Sequence, residues 1–172
     1  MPKVSERGPK LTPSDATAAI VSFGGGLALS ADGDTALIGG EGDDAGAGAA
    51  WVFERAAGTW AQSGPKLTVS GLSPGDSFGQ SVALSADGTI ALVAAGRDDN
   101  WTGAAWVFDR TGATWTPAAA RLTARDERGQ GFFGKSVALS AAGDTALIGG
   151  YGDDDGVGAA WIFGSWPGTT GG

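Results

Sequence analysis

The chain has no cysteine and no histidine among its 172 residues. The first absence rules out a disulfide framework and a thiolate zinc site. Together the two remove the residues on which most nucleophilic triads depend, so hydrolysis by a Ser-His or Cys-His relay is excluded. Basic charge is also scarce, with 11 Lys and Arg against 19 Asp and Glu and a net charge of −8. Nucleic acid and anionic membrane surfaces need clustered cations, so neither is an expected partner. No apolar run is long enough to span a bilayer. The opening residues, Met1-Pro2-Lys3-Val4, lack the apolar core of a secretion signal.

Glycine, in contrast, is abundant at 32 residues, with seven Trp. Gly without a collagen period, mixed with Val, Leu and Ile runs, reads as a turn-dense β protein. The text also repeats. Ser81-Val82-Ala83-Leu84-Ser85-Ala86-Asp87-Gly88 has counterparts at Leu27 to Gly33 and at Val137 to Gly143, in steps of 55 residues. A period of that length means an array of one supersecondary unit.

Each unit holds four strand-like runs. In the middle copy, run A is Ser81 to Ser85 and ends at Asp87-Gly88, a tight-hairpin signal. Run B, Ile90 to Ala95, is continuously apolar, as in a strand covered on both faces. Run C, Ala104 to Phe108, puts Trp106 and Phe108 on one face and Val107 on the other. Run D, Thr114 to Thr123, holds Pro117 and belongs at a sheet edge. Repeats are expected at 13–68, 69–123 and 124–163, with 164–172 a flexible tail. Residues 1–12 match the end of a run D and lack the A, B and C that would precede it. The last repeat has A, B and C without a D.

Four short antiparallel strands per unit make the blade of a β-propeller. The stretch Gly75-Asp76-Ser77-Phe78-Gly79-Gln80-Ser81-Val82-Ala83-Leu84-Ser85-Ala86-Asp87-Gly88 resembles the FG-GAP repeat, the blade of integrin α-subunit propellers and of many bacterial surface and secreted proteins. The resemblance extends over roughly residues 8 to 163. It implies an all-β propeller fold and a secreted or cell-surface bacterial setting. Relatives usually have seven blades and often hold Ca²⁺ in an Asp/Asn-rich loop between the first two strands. Here that place holds short turns such as Ala86-Asp87-Gly88-Thr89, with too few spaced carboxylates for a cage.

Three blades do not close a ring. Four strands about 4.8 Å apart and about 17 Å long give each open face roughly 300 Å² in projection, enough to favour association. The expected particle is a homodimer forming one six-bladed ring, a nine-bladed trimer being the other closed form. Val4, Leu11, Trp161 and Phe163 are the expected assembly residues, with Val4 to Thr12 completing the blade begun by a second copy's residues 136–163.

Two further readings attach to the loops after run B. Asp43-Asp44, Asp98-Asp99 and Asp153-Asp154-Asp155 read as solvated turns, or as weak Ca²⁺ sites that would suit a metal-dependent adhesion domain. Trp101, beside Asp99 and Asn100, has glycine at its counterparts Gly46 and Gly156. An exposed indole next to carboxylates suits a sugar ring, which suggests a lectin-like site on Trp101, Asp99, Asn100, Asp43, Asp44, Asp153 and Asp154. A protein ligand is the other expected partner. No catalytic residue and no obligatory cofactor is expected.

Overall fold

A computed structural model describes residues 8–119, 121–164 and 166. Among these residues eleven strands form three antiparallel sheets. The first sheet is β1 (Phe23–Leu29), β2 (Thr35–Gly40), β3 (Ala49–Ala56) and β4 (Thr59–Gln62). The second is β5 (Ser81–Leu84), β6 (Ile90–Ala95), β7 (Ala104–Thr111) and β8 (Thr114–Pro117). The third has three strands, β9 (Ser136–Leu139), β10 (Thr145–Gly150) and β11 (Ala159–Gly164). Strands pair in sequence order within each sheet, as in a propeller blade.

The turns explain why runs A and B pair. Ser30 Oγ donates to Asp32 Oδ1 at 2.6 Å, and Thr35 N donates to Ser30 Oγ. Ser85 and Asp87 repeat this arrangement. In the third blade Ala142 replaces the aspartate, and Asp144 takes the Ser140 hydroxyl instead. Run D is shorter than its sequence suggests. The ladder breaks off after Pro117 and returns once, where Leu122 pairs with Ala105. Leu67 pairs with Ala50 in the same way.

Two of the three core clusters among the described residues lie between blades; the third, Ile38, Trp51 and Phe53, sits on the first blade's other face under Leu11, Val21 and Phe23. One face of the first blade (Leu37, Val52) meets Val82, Val93, Trp106 and Phe108 of the second. The other face of the second (Leu92, Val107) meets Ile148, Trp161 and Phe163 of the third. Alternation along run C therefore holds: Trp106 and Val107 face different neighbours. One backbone bond marks each step, Ala31 N to Ala86 O at 2.8 Å and Ala86 N to Ala141 O at 2.9 Å. Glycine makes the approach possible: a Cβ on Gly39 would lie 1.8 Å from the Gly79 carbonyl oxygen.

Three expectations need correction. Trp161 and Phe163 do not face outward; they pack on Phe133, with ring centroids 5.3 and 5.7 Å away, against the second blade. The outer face of the third blade is carried by the residues between and beside them, Ala160, Ile162 and Leu147. The tail is not wholly a tail: Trp166 is buried in the second interblade cluster, where its indole covers apolar surface. Residues 8–12 join no strand, although Leu11 packs on the first blade's cluster. Val4 lies outside the described residues. No helix among the described residues is long and apolar enough to cross a membrane.

Candidate functional site

Each blade carries a four-residue helical turn after its second strand: Asp43–Gly46, Asp98–Trp101 and Asp153–Gly156. Its middle residues take left-handed backbone angles, such as φ 50° at Asp99 and 56° at Asn100. Asp and Asn tolerate that region better than most residues. The turn closes when Gly48, Gly103 and Gly158 donate back to the carbonyls of Asp43, Asp98 and Asp153.

The first aspartate of each turn is not solvated in the first two blades, contrary to the sequence reading. Asp43 is fully buried and takes Lys66 Nζ at 2.5 Å, Thr17 N at 2.7 Å and Ala18 N at 3.3 Å. Asp98, also buried, pairs with Arg121, whose Nε lies 2.6 Å away. Asp153 accepts from Arg128 N at 2.7 Å. Buried carboxylates need such partners. Burial pushes the Asp43 carboxyl up, but the Lys66 and Thr17 hydrogen bonds outweigh it and hold it below its ordinary value. Asp98 moves the other way: burial dominates, Arg121 offsets part of it, and the charges of Asp76 and Asp99 add to the rise.

A second seat lies beside the first. Asp15 Oδ1 accepts from Trp51 Nε1 at 2.7 Å and from Gln62 Nε2, and its Oδ2 from Lys66 N at 2.9 Å. In the third blade Asp126 accepts from Trp161 Nε1 at 2.8 Å. The corresponding residue of the second blade is Gly71, and there a cavity of about 770 Å³ opens. Its wall includes Gly71, Asp76, Arg97, Asp98, Trp106 and Arg121.

The cavity brings together four of the residues singled out from sequence, Asp98, Asp99, Asn100 and Trp101. Asp43, Asp44, Asp153, Asp154 and Asp155 belong to the turns of the other two blades and do not line it. Among the described residues no three carboxylates converge on a cation-sized site. Trp101 is 38% exposed, with Arg97 over its ring at 5.0 Å and Phe132 against its edge at 5.3 Å. Its φ of 74° is strained for any side chain, whereas Gly46 and Gly156 adopt similar angles freely.

Sequence reasoning missed Arg97, Arg121, Asp76 and the indole N–H of Trp106. The aligned repeats did carry a signal: Arg97 stands against Gly42 and Gly152, and Gly71 against Asp15 and Asp126.

The FG-GAP repeat family matches residues 60–108 and 115–163, more than half of the chain. No curated protein sequence matches it. Among solved structures, Sqt1 of Saccharomyces cerevisiae is similar at a TM-score of 0.56 and 14% identity, covering 87% of this chain and 33% of that one. TolB of Acinetobacter baumannii gives a TM-score of 0.48 and 13% identity, with 83% and 30% covered. The chain thus spans about a third of the length of these structures. The likeness to Sqt1 agrees with a propeller-type arrangement of the three sheets. With two tandem matches over more than half of its length, each running from the last strand of one sheet through the third strand of the next, the chain belongs to the FG-GAP repeat family.

Proposed function

We propose that the chain is a non-enzymatic interaction module that assembles with itself, two copies joining head to tail in one six-bladed ring. The observation that carries this reading is the apolar side chains left exposed at both ends of the three-blade array. Leu147 and Ile162 are 47% and 76% exposed on the third blade, while their counterparts Leu37, Leu92, Val52 and Val107 are buried. On the first blade Trp51 and Phe53 are covered by the chain's own Leu11, Val21 and Phe23, but Leu27 and Leu29 on the same face stay 68% and 58% exposed, while Val82 in the second is buried by its neighbour. The exposed residues at each end hold positions that another blade covers inside the chain. Apolar patches of this kind favour association.

The polar contacts extend the same way. Leu67 and Leu122 bridge to Ala50 and Ala105, both fully buried; Leu11 holds the matching place and Ala160 is exposed. Lys66 pairs with Asp43 and Arg121 with Asp98; in the proposed ring the same step would bring Lys10 of one copy against Asp153 of the other. The Lys66 N–H donates to Asp15 Oδ2, and Asp126 Oδ2 is the matching acceptor for the N–H of a second copy's Lys10. Two head-to-tail contacts close with two-fold symmetry and leave no open edge.

Light scattering after size exclusion tests the assembly. The expected mass is twice the 17.0 kDa of the chain. Ile162→Asp places a charge in the junction and yields monomer. Lys10→Glu weakens the dimer, and Asp153→Lys in the same chain restores it. A monodisperse monomer, or a trimer, overturns the reading.

A further inference from the structure

The second blade departs from its neighbours at one place, and the departure exposes hydrogen-bond donors. In the first and third blades an aspartate from the incoming loop covers the tryptophan N–H. Gly71 offers no side chain to do so. Trp106 is only 7% exposed, it lines the cavity, and its Nε1–H makes no hydrogen bond among the described residues. The loop itself also stands off. Thr17 N and Arg128 N donate to Asp43 and Asp153, but Ser73 N donates to Asp76 Oδ2 at 2.6 Å instead of to Asp98. Asp76 replaces Val21 and Gly131 of the other repeats, so the sequence supplies the group that diverts the loop.

We propose that this cavity binds a carboxylate presented by a peptide, an aspartate side chain that takes the seat Asp15 and Asp126 fill in the other blades. Its donors are the Trp106 indole N–H and the Arg121 backbone N–H, which correspond to Trp51 Nε1 and Lys66 N. Arg121 balances Asp98 as Lys66 balances Asp43. Arg97, present only in this repeat, adds a guanidinium to the cavity wall, 5.0 Å over the Trp101 ring. Charge-assisted contacts of this type fix a carboxylate in place. The exposed indole of Trp101 forms the adjoining wall for the residues flanking the aspartate. A peptide source is preferred because both occupied seats are filled by aspartates carried on a peptide segment, Asp15 within Thr12 to Thr17 in the first case.

The test is a titration of the full chain with the blocked peptide Thr-Pro-Ser-Asp-Ala-Thr, following tryptophan indole N–H resonances by NMR. One indole resonance shifts and saturates, and the Asp→Asn peptide leaves it in place. Trp106→Phe keeps an aromatic ring in the core, removes the donor, and lowers affinity at least tenfold. Trp101→Gly weakens binding at least threefold in a folded chain, since Gly46 and Gly156 already occupy that backbone conformation. Absence of a saturable shift at millimolar peptide overturns the proposal, as does an equal response to the Asn peptide or unchanged affinity in both variants. Saturable binding of glucuronate with no response to the peptide assigns the seat to a sugar acid and overturns the peptide source.

Discussion

Gly48→Ala lowers the free energy of unfolding by about 3 kcal/mol or more, through steric overlap added to backbone strain. Gly48 has φ +90°, and a Cβ there would sit 2.1 Å from the Phe78 carbonyl oxygen and 2.6 Å from its nitrogen. Neither atom can rotate away, because both belong to the main chain. Gly48 N is held by Asp43 O, and Phe78 N by Ala47 O, at 2.9 Å each. Relief therefore requires the Gly48–Phe78 bridge between the first two blades to open. Gly58→Ala separates the two causes. Its φ is +81°, but nothing lies within 4 Å of the added carbon. That variant carries strain alone, about 1 kcal/mol. Urea midpoints of the two variants measure the difference; equal losses would mean that the clash is absorbed.

Asp43→Asn is expected to cost about 3 kcal/mol at neutral pH, the range for breaking one side of a buried ion pair. The Asp43 side chain is wholly enclosed and the Lys66 ammonium is mostly covered. An amide leaves that ammonium without its counter-charge and turns an N–H₂ toward it or toward Thr17 N. The pH dependence follows from the direction of the shift. The Asp43 carboxyl titrates below its ordinary value, so its contribution is complete above that value, about pH 4, and is lost as pH falls through the folded value. Asp15 behaves likewise: burial raises it, and donors from Lys66 N, Gln62 and Trp51 lower it further than that. Asp98 is raised, so its contribution declines as pH climbs from the ordinary value through the folded one. Asp98→Asn therefore costs less at pH 7 than Asp43→Asn, and only the latter flattens the acid limb of a stability curve. Equal costs at the two sites would refute this division.

Much of the architecture is legible in the chain because its causes are local. Run B of the middle repeat and β6 have the same bounds, Ile90–Ala95, since a Ser-Ala-Asp-Gly turn and a continuous apolar run each carry their own signal. The 55-residue step is written in the text and reappears as three sheets. What was not legible depends on contacts between distant segments. Strand alternation shows that Trp161 and Ile162 point oppositely, but not which of them meets the second blade. The burial of Asp43 requires Thr17 and Lys66, 26 and 23 residues away, to converge on it. Trp166 follows a break in the repeat, which reads as the end of structure until the indole is found in the core. Gly71 is an ordinary loop glycine until it is set against the aspartates that occupy its place on either side.

The blades also differ in how firmly they are held. The second is gripped on both sides, by the first through Val82 and Phe108 and by the third through Leu92 and Val107. It is the same blade that gives up an internal aspartate, keeps a buried acid short of donors and bends a tryptophan into a left-handed turn. Such departures survive where surrounding contacts over-determine the backbone. The irregular loop of the second blade is thus anchored on a sheet packed on both sides, so its departures can accumulate without loosening the array.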